Sequence, residues 1–149
     1  MKYFFKPDWF VILLTLLVLT TLGMSITLIS WDSIASLLFL ALIVSIMIFT
    51  TALTPLWVNV TETEIKVKLV FGSRVFDKSK IEIKEISKKD IQGSIRVFGG
   101  GGYGGYTGWF RNNTLGRYFM LITNKDELAL IITDKGTKVV INYPKHLHG

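Results

Sequence analysis

Two stretches of the chain, Trp9 to Trp31 and Ser33 to Thr61, contain no charged residue, and only Asp32 separates them. A helix needs about 20 apolar residues to cross a hydrocarbon core of roughly 30 Å, so each stretch is long enough to do so. The buried helix of a soluble domain rarely stays uncharged for so long. The pattern predicts a transmembrane helical hairpin over residues 1–58, with helices at about 10–30 and 34–57. Between Phe10 and Ile29, 13 residues are Leu, Ile, Val or Phe. At a central position each favours insertion by about 0.3–0.6 kcal/mol, and no charge opposes them at about 3 kcal/mol. Pro55 falls one turn before the expected exit of the second helix and reads as a bend or stop.

The charge lies almost entirely outside the hairpin. Of 17 Lys and Arg residues only Lys2 and Lys6 precede it, and the net charge of +6 belongs to the segment from Glu62 to Gly149. Lys2 and Lys6 flank one end of the hairpin, Lys66 and Lys68 flank the other, and the turn holds only Asp32. The excess of basic residues near membrane helices marks the cytoplasmic side, so both termini are expected in the cytoplasm. A secretory signal would use Lys2 and Lys6 as its basic start. The apolar run is too long for one, lacks a small-x-small cleavage site and is followed at once by a second span. The chain has no Cys, which fits a reducing compartment. The glycosylation patterns Asn59-Val60-Thr61 and Asn112-Asn113-Thr114 are expected to stay unmodified there.

Trp9, Trp31 and Trp57 fall at the expected helix ends, where an indole buries its ring and keeps its N–H wet; they read as membrane-interface anchors. Gly23 and Thr27, and Ala41 and Ser45, stand four apart on one face of each helix. That spacing permits close helix approach, although small residues occur in any membrane helix. No ionisable residue lies inside either span, which argues against a proton relay, ion pathway or transport site. The hairpin reads as an anchor or an assembly surface.

From Val58 the hydrophobic period changes to two, the mark of strands with one wet face. In Glu64-Ile65-Lys66-Val67-Lys68-Leu69, Ile65, Val67, Leu69 and then Phe71 are expected to face a core. Gly72-Ser73 supplies a turn before Arg74-Val75-Phe76. Further strands are expected at Lys80 to Ile86, Gly116 to Thr123, Leu128 to Thr133 and Lys138 to Asn142, six or seven in all, with no long helix. Residues 59–149 therefore form one small antiparallel barrel or sandwich.

Residues from Gly93 to Gly116 hold nine of the 13 glycines, interleaved with Tyr103, Tyr106, Trp109 and Phe110. The segment reads as an irregular connection, too rich in glycine for a strand. Bare amides can cradle a phosphate, but no Gly-Lys-Ser/Thr, following helix or acidic metal ligand accompanies them. Two readings remain. The aromatics cover one end of the barrel, or Arg96, Tyr103, Tyr106, Trp109, Phe110 and Arg111 form a binding loop that dips among lipid headgroups or grips a partner.

The order of these features resembles the bacterial pleckstrin-homology-like (PH-like) membrane proteins. Its specific part is the run Gly99-Gly100-Gly101-Gly102-Tyr103-Gly104-Gly105-Tyr106-Thr107-Gly108-Trp109-Phe110-Arg111-Asn112, followed by Leu115-Gly116-Arg117-Tyr118 and Thr123-Asn124. The resemblance implies an α+β membrane protein of the bacterial inner membrane: a two-helix hairpin followed by a seven-stranded, strongly bent antiparallel PH-like β-barrel, closed at one end by a C-terminal helix. Only Lys145-His146-Leu147-His148-Gly149 follows Pro144, which is too short for that helix. The barrel end is then open, covered by the glycine loop, or completed by another molecule. No ligand carries over, because phosphoinositide binding belongs to some eukaryotic members of the fold and a fold does not imply a function.

Nothing in the sequence marks a catalytic site. His146 and His148 are the only histidines, too few to hold a metal without distant carboxylates, and no cofactor is implied. Asp126 and Glu127 read as turn residues, Glu82 and Glu85 as solvated strand residues, and Ser87 and Ser94 lack a neighbouring base. The basic residues Lys66, Lys68, Arg74, Lys78, Lys80, Lys84, Lys88 and Lys89 form either a solvated surface or a face held against anionic lipid. Nucleic acid is not an expected partner, since no groove-entering helix or stacking module accompanies the charge. The expected function is a non-enzymatic interaction or regulatory module at the membrane, with a protein partner or further copies of itself. The alternative is a binder of anionic headgroups. Convergence of Glu82, Asp90, Arg96, Arg111 and Asn112 in one cleft would instead point to an enzyme.

Overall fold

A computed structural model describes residues 1–29, 31 and 33–147. Asp32, expected in the turn of the hairpin, and His148 lie outside the described residues. Two helices come first, α1 (Trp9–Leu28) and α2 (Ile34–Ala52), the second capped by the Ser33 hydroxyl, which accepts from Ser36 N at 3.5 Å. Both are apolar on every side: α1 buries only Val11 and α2 buries no residue. Eight Ser and Thr hydroxyls along them, including Thr20, Ser25, Ser45 and Thr50, donate to carbonyls three or four residues back. This satisfies each hydroxyl within its own helix. Nothing lies within 4 Å of where a Gly23 side chain would be. The small-residue spacing thus brings no close approach within the chain.

The second helix stops at Ala52 rather than near 57, because Pro55 supplies no N–H and its ring disfavours helix before it. Pro55 instead opens β2 (Pro55–Val60), and Trp57 lies on that strand. A strand that the sequence does not announce, β1 (Lys2–Tyr3), pairs with β2 through Lys2↔Asn59 and Tyr3↔Val58. Two residues are too few to show a period. With β3 (Glu64–Leu69) and β4 (Ser73–Asp77) they form an antiparallel sheet ordered β1-β2-β3-β4. Ile65, Val67 and Leu69 are buried as the alternation requires, but Phe71 stands 81% exposed in the β3–β4 turn, where its N–H donates to Ala52 O.

A 3₁₀ turn at Lys78–Lys80, capped by Asp77, leads into a second sheet. It contains β5 (Ile81–Ile86), β6 (Ile95–Gly101), β7 (Tyr106–Asn112), β8 (Gly116–Ile122), β9 (Leu128–Thr133) and β10 (Lys138–Asn142), ordered β5-β9-β10-β8-β7-β6. Nine strands thus follow the helices among the described residues. The expected closed antiparallel barrel does not form. β4 and β5 are consecutive but unpaired, and β10 inserts between β8 and β9, parallel to β8. The module is two facing sheets.

The glycine-rich segment is the other correction. β6 and β7 pair from Ile95↔Arg111 to Gly101↔Tyr106, leaving only residues 102–105 as a turn. Glycine makes the pairing possible. Gly99 and Gly108 face each other, and a side chain on Gly108, at φ 145°, would strike Phe98 O and Gly99 Cα.

Each face of the six-stranded sheet has its own core. Leu121, Ala129, Ile131, Val139 and Ile141 meet Val58, Val60, Ile65, Val67 and Leu69 of the smaller sheet. On the other face Tyr106, Phe110, Tyr118, Met120, Ile122, Leu128, Leu130 and Val140 are covered by Ile91, from the β5–β6 connection, and by Val11 of α1.

Candidate functional site

That second face is covered incompletely, and a cleft of about 740 Å³ opens over it. Lys88, Lys89, Gln92 and Ser94 of the β5–β6 connection form one wall, with Arg96 at the start of β6. Tyr106, Phe110 and Met120 form the floor, and Lys125 of the β8–β9 turn stands at the other side. Its ammonium lies 4.3 Å from the centre of the Tyr106 ring. The shape follows from strand alternation: Tyr106 and Phe110, four residues apart on β7, point to the same side.

The polar end of the floor is well tied. The Ser94 hydroxyl donates to Ile91 O at 2.6 Å and meets the Tyr118 hydroxyl at 2.6 Å, and Asn112 Nδ2 donates to Asp90 O and to Ser94 Oγ. The Asp90 carboxylate accepts from Ser87 N and Ser87 Oγ, and those bonds hold its pKa below the usual carboxylate value. Burial raises the Tyr118 phenol, opposed by its bond with Ser94. At the opposite end, burial first and then the Asp8 carboxylate push Tyr106 up to about 12. Tyr106 is therefore a neutral hydroxyl at physiological pH. Among the described residues the one ion pair is Lys84 with Glu82, at 3.1 Å. Lys88, Lys89, Arg96 and Lys125 have no carboxylate partner there.

The six residues expected to act together separate onto three surfaces. Arg96, Tyr106 and Phe110 line the cleft. Trp109 faces the opposite side, edge-on to Phe119 and under the Arg117 guanidinium at 4.9 Å, and Arg111 is exposed opposite Arg117. Tyr103 sits in the 102–105 turn at the feet of both helices. Its hydroxyl accepts from Thr51 Oγ1 at 3.1 Å while Gly104 N donates to Thr15 Oγ1 at 3.0 Å. At Gly102, φ is 100° and an added Cβ would lie 2.5 Å from Leu14, so glycine lets this turn seat against α1. Lys125 was legible only as a turn residue, and Lys88 and Lys89 only as surface charge. A short Lys-Lys run is a faint signal, and the cleft needs the β5–β6 connection to cross the sheet.

Of Glu82, Asp90, Arg96, Arg111 and Asn112, only Arg96 lines the cleft. No group of three His, Cys, Asp or Glu able to hold a metal occurs among the described residues, and His146 lies against the Tyr3 ring, 5.5 Å between centres. Among the expected interface anchors, Trp9 and Trp31 are exposed at the start of α1 and between the helices, whereas Trp57 packs on Phe4 with the Lys2 ammonium 5.6 Å from its ring.

The described residues thus comprise two facing sheets with a basic cleft, joined to a pair of helices long and apolar enough to span a membrane. Residues 57–145 match the family model described as a bacterial PH domain. The chain belongs to that family. Neither a curated protein nor a solved structure shows significant similarity to it.

Proposed function

We propose that this protein is a two-pass, non-enzymatic module that holds its PH-like domain in a fixed attitude at the cytoplasmic face of a bacterial inner membrane, where it recruits or regulates a protein partner or assembles with further copies of itself. One observation carries the reading. Two helices of 20 and 19 residues bury a single side chain between them, so nearly all their apolar surface needs a nonaqueous neighbour. A core helix of a soluble protein would be mostly buried.

The fixed attitude is supported by bonds at both ends of the hairpin. The Met1 amino group donates to Val60 O at 2.7 Å and Asn124 Nδ2 to Lys6 O at 2.9 Å, while Thr107 Oγ1 donates to Leu53 O and Val70 N to Thr54 O. Since β1 precedes α1 and β2 follows α2, their pairing favours both ends on one side of the bilayer. The exposed apolar faces of both helices are available to lipid or to other subunits. PH-like domains are generally non-catalytic, which agrees with the scattered carboxylates.

Alkaline carbonate extraction and impermeant amine labelling of intact cells test this. The chain should stay in the membrane pellet, and Lys138 and Lys66 should label only after permeabilisation. Release into the supernatant, or labelling in intact cells, would overturn it. Cross-linking in native membranes then names the partner, a self-linked product favouring assembly.

A further inference from the structure

The six-stranded sheet is wider than the sheet that covers it. β4, the last strand of the smaller sheet, reaches Trp109 and Phe119 through Arg74 and Phe76, and beyond it the face carried by β6, β7 and the start of β8 has no sheet over it. Register sets out that face in two rows. Phe98, Trp109 and Phe119 lie side by side in one, and Ile95, Arg111 and Arg117 in the next. The bulge between Arg96 and Phe98 brings Ile95 and Phe98 to the same side although they are an odd number of residues apart. They stand 74% and 70% exposed.

We propose that this surface docks an acidic segment of a partner protein, with carboxylates on either side of an aromatic or branched apolar residue. Arg111 and Arg117 are directly opposite each other, an arrangement that destabilises a strand pair, and among the described residues neither has a carboxylate to offset it. Arg74 sits over the Phe119 ring at 5.7 Å and Arg117 over the Trp109 ring at 4.9 Å. A guanidinium stacked on a ring keeps its N–H edge free, and that fork fits a carboxylate. A groove of about 640 Å³ runs from Phe98 and Trp109 to Phe49 and Leu53 of α2 and seats the apolar part of the segment.

Composition selects protein over lipid. The surface holds three of the chain's four arginines, and none of its 13 lysines lines the groove or the gap beneath β4. An anionic leaflet attracts lysine and arginine alike, whereas arginine set among Trp and Phe is the composition of protein interfaces. Charge selects a foreign chain over a second copy. With 17 Lys and Arg against 11 Asp and Glu, this chain lacks spare carboxylates to supply. The inference rests on the partner-recruiting reading given under Proposed function, but not on the membrane anchoring.

The test uses the full chain in a neutral maltoside detergent, immobilised and panned against a displayed library of random dodecapeptides. Enriched peptides should carry Asp or Glu on both sides of an aromatic or branched apolar residue. The strongest, made synthetically, should bind the Arg111→Glu variant at least about tenfold more weakly in fluorescence anisotropy. The unfolding midpoint of that variant should stay level or rise, because the substitution places opposite charges across the strand pair. Lys88→Gln combined with Lys89→Gln, on the other face, should bind as the wild type does. Absence of acidic peptides from the enriched set, or a binder indifferent to Arg111→Glu, overturns the surface. Displacement of the binder by dihexanoylphosphatidylglycerol and not by dihexanoylphosphatidylcholine assigns the surface to lipid, and a sedimenting dimer that Arg111→Glu dissociates assigns it to a second copy; either overturns the acidic partner. Carbonate extraction of the wild type separates the two proposals: release from the membrane with acidic peptides still bound in detergent would sink the anchor and leave the surface, and retention without peptide binding the reverse.

Discussion

The two faces of the six-stranded sheet are built from the same strands and have opposite fates. One is sealed by the four-stranded sheet, with Ile65, Val67, Ile131 and Ile141 fully buried. The other is roofed only by a connecting segment and the first turn of a helix, and it retains a charged opening. Where sheet meets sheet, apolar period-two residues suffice and little chemistry remains. Where irregular segments cover a sheet, polar side chains must tie them down, and the gaps between those ties become a site.

Three changes probe this contrast. Ile131→Ala, on the sealed face, removes a side chain with no exposure and should cost about 2–5 kcal/mol in detergent-based denaturant unfolding, since rigid neighbours cannot refill the space. A loss below 1 kcal/mol would mean that the sheets are not sealed. On the open face Tyr118→Phe removes a hydroxyl bonded to Ser94, which keeps its bonds to Ile91 O and Asn112. The expected cost is about 1 kcal/mol, accompanied by faster amide exchange over residues 88–94 if that bond pins the roof.

The smallest effect is alkaline. Tyr106 titrates near 12 when folded and near 10 when unfolded, so the fold favours its protonated form. The associated stability is complete below pH 10 and is lost as pH rises towards 12. Tyr106→Phe should flatten the decline in stability over that range without abolishing it, because Tyr118 and Tyr143 are raised as well. An unchanged slope would place Tyr106 in water and open the face further than described.

The legible parts of this fold were those with a strong period. The uncharged runs gave both helices, and alternation in Glu64–Leu69 and the short apolar run Leu128–Thr133 between turn residues gave strands at their observed places. Pairing was not legible. Residues 95–112 lacked a strand pattern because their glycines serve backbone approach between β6 and β7, a need visible only once the partner strand is known. The parallel β8–β10 pair depends on chain path, to which local propensity is blind. Of the residues expected in one binding loop, Arg96, Tyr106 and Phe110 share a surface. Tyr103, Trp109 and Arg111 were divided from it by strand alternation and by the turn's descent to the helices.

The two residues of β1 set an order on biosynthesis. Lys2 and Tyr3 are synthesised before their hydrogen-bonding neighbour, β2, and both apolar helices lie between them in the chain. In a two-pass protein this clasp can close only after the intervening chain has gone out through the bilayer and returned. On the two-pass reading proposed above, a polypeptide that crossed once would hold β1 and β2 on opposite sides, so completion of the smaller sheet would record the return of the chain.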